Sequence, residues 1–525
     1  LGIRCISLRY ILNLNLMSTS SEKNKTIAKN TLLLYIRMVL VMGVTLYTSR
    51  IVLNALGVHD YGIYNVVGGI VTLFSIVSGS LSSAISRFIT YELGLGSPER
   101  IKKIFATSLS IQIVLSLIVL VLCSTVGFWF LNQKMNIEPQ RLAAANWVLL
   151  FSILTFVVNL LSIPYNAVIV AHEKMAAFAY VSIVEVALKL GVAFLILSFS
   201  SERLVVYAAL LFAVAVIIRL IYGVYCTRHF PECSTGPKYD KSIYKEMSGF
   251  AGWNFIGTSS SVIRDQGNNV VLNLFFGTVV NAAYGIGMQV SNAAYSFSQN
   301  FMTALNPQIT KSYALGDFAY LSTLVLRGAR FSFYLLWMIA VVILLNTDYL
   351  LSLWLGSVPD YTVRFVQLFT LFVVSESISQ PLITAMLATG DIRNYQIVVG
   401  GLKLLNLPVS YLLLKMGYSP YVTVVVAIVI SQGMLFLRFI FLKSKIHMGA
   451  WIFFKKVYLN VLFVGAVSIV LAYVCTNGIA ETFPGLVLKC GITISVCIAT
   501  VWLIGCTAVE RAFIFNKIKS LKSRL

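Results

Sequence analysis

The residues that decide the fold class are IFATSLSIQIVLSLIVLVLCSTVGFWFL, at 104–131. This run of 28 residues holds no Asp, Glu, Lys or Arg, and an apolar helix needs only roughly 20 residues to cross a bilayer. Fourteen apolar segments follow one another near 29–56, 61–93, 102–131, 142–170, 174–198, 203–228, 246–276, 281–312, 320–347, 361–388, 393–415, 420–443, 453–475 and 485–510, joined by short connections. The whole chain is 58% hydrophobic and 11% charged, whereas soluble domains average about 45–50% and about 25%. The expected fold class is an all-α polytopic membrane protein with about 14 transmembrane helices.

Lys and Arg orient the segments. With the N-terminus in the cytosol, the cytosolic stretches include SEKNKTIAKN (21–30), GSPERIKK (96–103), the loop at 228–246, KSKIHMGAWIFFKK (443–456) and the tail at 511–525. The cytosolic stretches hold roughly five times as many Lys and Arg as the opposite loops, the asymmetry that sets membrane topology. This puts both termini in the cytosol and accounts for most of the +21 net charge. A cationic membrane protein of this kind contacts anionic lipid, not nucleic acid.

Internal repeats divide the chain. Tyr61-Gly62-Ile63 matches Tyr284-Gly285-Ile286, and Leu93-Gly94 matches Leu315-Gly316. SIPYNAVIVA (162–171) matches SQPLITAMLA (379–388), pairing Pro164 with Pro381, and ALKLGV (187–192) matches GLKLLN (401–406), pairing Lys189 with Lys403. The matches keep one order at nearly one offset, 214–223 residues, so the halves are parallel repeats of six helices. The expected layout is a cytosolic leader at 1–28 (with Met17 as the expected start), a first lobe at 29–228, a cytosolic loop at 229–245, a second lobe at 246–445, helices 13 and 14 at 446–510, and a basic cytosolic tail at 511–525. Pro164, Pro307, Pro381 and Pro408 fall inside expected spans. Interior prolines free a carbonyl and kink a helix, so Pro164 and Pro381 are hinge candidates, with static packing kinks as the other reading.

The costliest residues lie where lipid is expected. SSSVIRDQGNNVVLNLFFG (259–277) carries Arg264, Asp265, Gln266, Asn268 and Asn269 inside the seventh segment. Arg37 and Arg50 lie in the first, and Lys189 and Lys403 lie mid-helix in the fifth and eleventh. Ionisable groups at such depths face a protein interior or a wet cavity. Counter-charges are fewer. Glu185 stands four residues before Lys189, Glu376 lies in the tenth segment, and Asp265 follows Arg264 without needing to pair with it. Gln289 and Asn292 add amides in the eighth. A cation-rich lumen lined by amides suits an anionic substrate bearing hydroxyls. For each residue the competing reading is a structural ion pair or a side chain snorkelling to the interface.

Several classes of chemistry find no support. The four histidines, His59, His172, His229 and His447, lie at helix ends or loops, and no HExxH, GxSxG or GxxxxGK[ST] pattern exists. Four of the eight cysteines, Cys123, Cys490, Cys497 and Cys506, sit in apolar runs as small hydrophobes, and Cys226 and Cys233 lack metal-site spacing. No enzyme activity, metal or cofactor is expected.

SRIVLNALGVHDYGIYNVVGGIVTLFS (49–75), AAYGIG (282–287) and PYNAVIVAHEKM (164–175) resemble the polysaccharide transporter family, within the superfamily of multidrug, oligosaccharidyl-lipid and polysaccharide exporters. The likeness runs from about 27 to 511, and its ALGxxxYGxY element at 55–64 is specific to the family and not to one substrate. The resemblance implies a MATE/MurJ-like fold of two six-helix lobes plus two helices, V-shaped and working by alternating access. It further implies a Wzx-type flippase of the bacterial inner membrane, monomeric, moving undecaprenyl-pyrophosphate-linked oligosaccharide for O-antigen, capsule or exopolysaccharide assembly. Its partners would be the lipid-linked oligosaccharide, membrane lipids, a polysaccharide polymerase and glycosyltransferases. Two alternatives stay open: an Na⁺- or H⁺-coupled multidrug or metabolite antiporter, and a membrane transferase or polymerase. The first wants carboxylates in the first lobe, where Glu185 is the chief candidate. The second wants a long polar catalytic loop, which the chain lacks.

Overall fold

The computed structural model describes residues 2–515 apart from 73, 74, 136, 200, 201, 447, 509, 513 and 514. The side chains of the expected leader up to residue 25, and most of the expected basic tail, lie outside the described residues. All regular structure among the described residues is helical. In hydrocarbon each backbone N–H and C=O must find its partner within its own segment, and an apolar helix meets that demand. The long helices are α1 (Gly2–Thr72, broken at Gly57), α2 (Ser75–Leu95), α3 (Pro98–Gln133), α4 (Pro139–Ala171), α5 (Met175–Ser198), α6 (Arg203–His229), α7 (Lys241–Phe276), α8 (Thr278–Ala314), α9 (Phe318–Leu345), α10 (Thr362–Thr389), α11 (Arg393–Lys415), α12 (Val422–Ile446), α13 (Ala450–Thr476) and α14 (Phe483–Gly505).

Among the described residues, eleven helices are long and apolar enough to cross a membrane, counting Thr26–Gly57 of α1. α2, α7 and α8 are not among them. The reason is composition: α2 carries Arg87 and Glu92, and α7 and α8 carry the charge and amide clusters. The outer surface follows the same physics. Val114, Leu117, Ile118 and Val121 of α3, at i, i+3, i+4 and i+7, are 53%, 56%, 50% and 60% exposed. An outward apolar stripe of this kind needs lipid as its solvent.

The chain divides into two compact units, Leu1–Phe255 and Ile256–Leu525. In the first, α4 packs on α6 and α2, and α1 packs on α5. In the second, α10 is the central helix, packed against α8, α9 and α12, while α13 and α14 pair and lean on α9. Close approach there depends on small residues. A Cβ on Gly287 of α8 would lie 3.2 Å from the Phe365 backbone of α10, and one on Gly328 of α9 would lie 2.5 Å from Leu305. On the α9–α13 seam, Trp337 Nε1 donates to Ser468 Oγ at 2.7 Å.

Backbone geometry marks the repeat more sharply than residue identity. Gly57 (φ 77°, ψ 167°) breaks α1, and Gly277 (φ 76°, ψ −164°) breaks α7 from α8. Gly96 and Gly316, both at φ 70°, end α2 and α8. This corrects the sequence pairing by two residues: Leu95-Gly96, and not Leu93-Gly94, is the equivalent of Leu315-Gly316. At the ends of α4 and α10 the left-handed position falls to Glu173 (φ 59°) and Gly390 (φ 78°), nine residues after Pro164 and Pro381. Those two prolines, with Pro307 and Pro408, sit inside helices that continue through them.

The connection from α6 to α7 is pinned to the first unit. Lys238 N donates to Ala106 O, and His172 Nε2 donates to Glu232 Oε1 at 2.6 Å beneath a stacked Phe230. Burial pushes the Glu232 carboxyl up, but the His172 hydrogen bond and the charge of Lys102 outweigh it, so it titrates below the usual carboxylate range. A carboxyl with a depressed folded pKa stabilises fully above its unfolded value, and the contribution is lost as pH falls through the folded value. Amide exchange across 230–237, corrected for its intrinsic pH dependence, is therefore expected to hold from pH 7 down to about 4.5 and to accelerate below it. Equal acceleration in Glu232→Gln would assign the change to another group.

Candidate functional site

Four charged residues of the second unit, Arg264, Asp265, Glu376 and Lys403, converge on one cavity of about 160 Å³. α7 contributes Ser261, Arg264 and Asp265, α8 contributes Asn292 and Tyr295, α10 contributes Phe372 and Glu376, and α11 contributes Lys403. Bare glycines let α7 and α11 approach closely enough for this. A Cβ on Gly257 would overlap Gln396, one on Gly267 would reach Leu407 at 2.7 Å, and one on Gly400 would touch Ser260 at 3.0 Å. At that separation the Lys403 ammonium reaches α7, donating to Ser261 Oγ at 2.8 Å.

Arg264 is 9% exposed, and its guanidinium lies 5.0 Å from the Phe372 ring centre. It also pairs with its neighbour: Arg264 Nη2 and Nε lie 2.7 and 2.8 Å from Asp265 Oδ1. Adjacent helical positions do not enforce this contact. It forms because a buried guanidinium cannot be left without a counter-charge. Glu376 accepts a hydrogen bond from the Ser431 hydroxyl of α12 and lies within the fields of Arg438, Lys403 and Arg264. Arg438, 1% exposed, donates to Tyr395 OH at 3.4 Å, and its Nη1 has no hydrogen-bond partner. Three cations thus meet two carboxylates, a surplus of one positive charge in a low-dielectric setting.

The other expected residues are placed differently. Asn268 donates to Asn406 Oδ1 at 2.6 Å, and Asn269 accepts from Asn281 through Oδ1 at 2.7 Å. Both tie helices together and neither lines this cavity. Gln266 and Gln289 are exposed and do not line the cavity. Lys189 pairs with Glu185 at 2.6 Å in the first unit and lines a separate cavity of about 160 Å³ with Thr45, Ser49, Tyr64 and Tyr207. Arg37 lies 4.6 Å from the Phe178 ring centre, and Arg50 is exposed on α1.

Sequence reasoning missed Arg438, which reads as the basic end of its helix. A signal was present: Ser431 and Arg438 stand two turns apart on one face of α12, and both act on Glu376. Among the described residues no group of three His, Cys, Asp or Glu side chains is placed to hold a metal. The cavity offers fixed charges, hydroxyls and an aromatic floor, which suits reversible binding of an anionic or polyhydroxylated group.

Comparison with known proteins places this geometry in context. Residues 27–313, more than half of the chain, match the family described as polysaccharide biosynthesis protein, and residues 268–412 match MatE. A relative from Bacillus subtilis (strain 168), "Uncharacterized membrane protein EpsK", is 21% identical over 494 residues, covering 91% of this chain and 95% of its own. Among solved structures, MATE in complex with MaD3S shares the fold at TM-score 0.70 and 11% identity, over 81% of this chain and 97% of that one. A MOP superfamily transporter from Pyrococcus furiosus Vc1 (DSM3638), whose binding pocket is described as of reverse polarity, follows at TM-score 0.64 and 12% identity, over 80% and 96%. This chain is a multi-pass membrane protein with the MATE fold, and it belongs to the polysaccharide biosynthesis protein family of membrane transporters.

Proposed function

We propose that this chain flips an undecaprenyl-pyrophosphate-linked oligosaccharide from the cytosolic to the outer leaflet of a bacterial inner membrane. The observation that carries the reading is the cavity where Arg264 and Lys403 meet Asp265 and Glu376, with the buried Arg438 adding positive field at Glu376 from outside the lining, in a member of a polysaccharide biosynthesis family. In this reading all fourteen long helices span the membrane, both termini are cytosolic, and the exposed amides of α7 and α8 face water and not lipid. The lipid tail stays in the bilayer while the pyrophosphate meets the cations and the glycan meets hydroxyls and amides. Rocking of parallel repeats about their interface supplies alternating access. An inside-negative potential favours outward movement of anions by about 2.3 kcal/mol per charge per 100 mV.

The MatE match over 268–412 favours a second reading, a cation-coupled antiporter in which Asp265 or Glu376 takes the coupling ion. Asp265 already holds Arg264 and Glu376 already holds Ser431, so an incoming cation must displace them. A sided assay separates the readings. Depleting the protein in its host should accumulate lipid-linked oligosaccharide on the cytosolic face, as reported by a membrane-impermeant probe. Unchanged amount and sidedness, with redundant exporters deleted, would sink the flippase reading.

A further inference from the structure

A second basic cavity, of about 460 Å³, lies in the C-terminal unit and shares no lining residue with the first. Its walls come from the N-terminal part of α9 (Arg327, Arg330), the start of α13 (Lys455, Lys456) and the residues that end and follow α14 (Gly505, Glu510). Four cationic side chains face one carboxylate there, a surplus of three positive charges.

That carboxylate is fully engaged. Glu510 Oε1 accepts from Arg330 Nη2 at 2.6 Å and lies 3.3 Å from Arg327 Nε, and Oε2 accepts from Thr507 N at 2.8 Å. Arg330, 7% exposed, also donates to Gly505 O at 3.0 Å, and its Nε has no hydrogen-bond partner. The two arginines are therefore fixed in place. Lys455 and Lys456 are exposed, and among the described residues no carboxylate pairs with either. Both lie in a π-turn, Phe454–Tyr458, and a second π-turn, Val501–Gly505, supplies the Gly505 carbonyl. Such turns are frequent where a helix contributes to a functional site.

The surroundings select an amphiphile. Trp451, 72% exposed, and Leu503, 66% exposed, turn outward beside the cations. On its other side the start of α13 lines an apolar groove of about 270 Å³ with Phe439, Trp451 and Phe454. Arg forks match phosphate oxygens bidentately, and Lys adds point charge. We infer that this cavity binds the phosphate headgroup of an anionic membrane phospholipid, its acyl chains lying along the exposed apolar faces of α13 and α14. On the positive-inside orientation the site faces the cytosolic leaflet, where basic pockets between helices gather anionic lipid. The inference is independent of the cargo and of the cavity at Lys403.

The test uses the full chain purified in mild detergent and delipidated, with thermal unfolding followed during titration by phosphatidylglycerol, phosphatidylcholine or inorganic phosphate. Phosphatidylglycerol alone should raise the melting temperature. Lys455→Ala with Lys456→Ala should weaken that response at least about tenfold, and Lys455→Gln with Lys456→Gln should do the same. The matched charge loss, Lys415→Ala with Lys443→Ala, should leave it intact. Wild-type response in the Lys455/Lys456 variants would overturn the inference. Equal weakening in the control pair would reduce it to surface charge, and an equal shift with inorganic phosphate would make it a small-anion site.

Discussion

Lys403→Ala and Arg264→Ala should each lower the rate of lipid-linked oligosaccharide translocation at least about tenfold, while membrane abundance stays within about twofold of wild type. The size follows from losing a hydrogen bond to a charged group, worth about 1.5–3 kcal/mol, where each 1.4 kcal/mol is tenfold. Abundance is spared because neither change leaves a sealed, unpaired charge. Lys403 releases only the Ser261 hydroxyl and a distant carbonyl. Arg264 releases Asp265, whose side chain is 27% exposed and opens on the cavity, where water can solvate it. The measurement is translocation in reconstituted vesicles, normalised to folded protein by fluorescence-detected size exclusion. Lys403→Arg should recover part of the rate, since it keeps the charge. Parallel loss of folded protein and activity would give these residues a structural role instead.

Arg438→Ala should behave in the opposite way, removing folded protein before it removes activity. Arg438 is sealed from solvent, while the half-buried Glu376, which also lines the cavity, has Ser431 as its direct partner and Arg438 as its leading positive neighbour. Breaking a fully buried ion pair costs about 3–5 kcal/mol; Arg438 acts on Glu376 through its field without an ion-pair contact, so that figure is the upper bound here. That is a large fraction of a typical folding free energy of about 5–15 kcal/mol. Replacing both by apolar residues of similar volume is often neutral. Arg438→Met combined with Glu376→Leu should therefore be more stable than Arg438→Met alone, and thermal unfolding of the four members of the cycle measures the coupling. Additive losses would show that the two charges act independently.

The class of fold was legible in the apolar runs, and the repeat was legible in ordered matches such as Pro164 with Pro381. The site was legible only in part. Arg264, Asp265 and Lys403 stood out because charge is costly in hydrocarbon, and the structure gathers them in one cavity. The direction in which a helix turns its polar residues was not legible, because packing against its neighbours sets it. Asn268 and Asn269 look like lumen amides in a string of letters, yet the close α7–α11 crossing at Gly257 and Gly400 turns Asn268 into a fastener against Asn406. Arg438 hid at a helix end that already looked basic. The break in α1 at Gly57 was invisible to hydropathy, since a glycine among apolar residues alters the average little.

The two glycines that break the helices in each half, Gly57 and Gly277, differ in kind from Gly287. At Gly287 the obstacle to a side chain is the neighbouring helix, and a compensating cavity in α10 could relieve it. At Gly57 and Gly277 nothing stands within 4 Å of the missing Cβ, so space is free and the backbone alone refuses substitution. A strained left-handed residue costs about 1–3 kcal/mol, which no distant repacking removes. In a saturation library selected for function, Gly57 and Gly277 should therefore behave as a matched pair of positions that second-site suppressors fail to rescue, while suppressors of Gly287 variants should map to its packing partners Phe365 and Phe369.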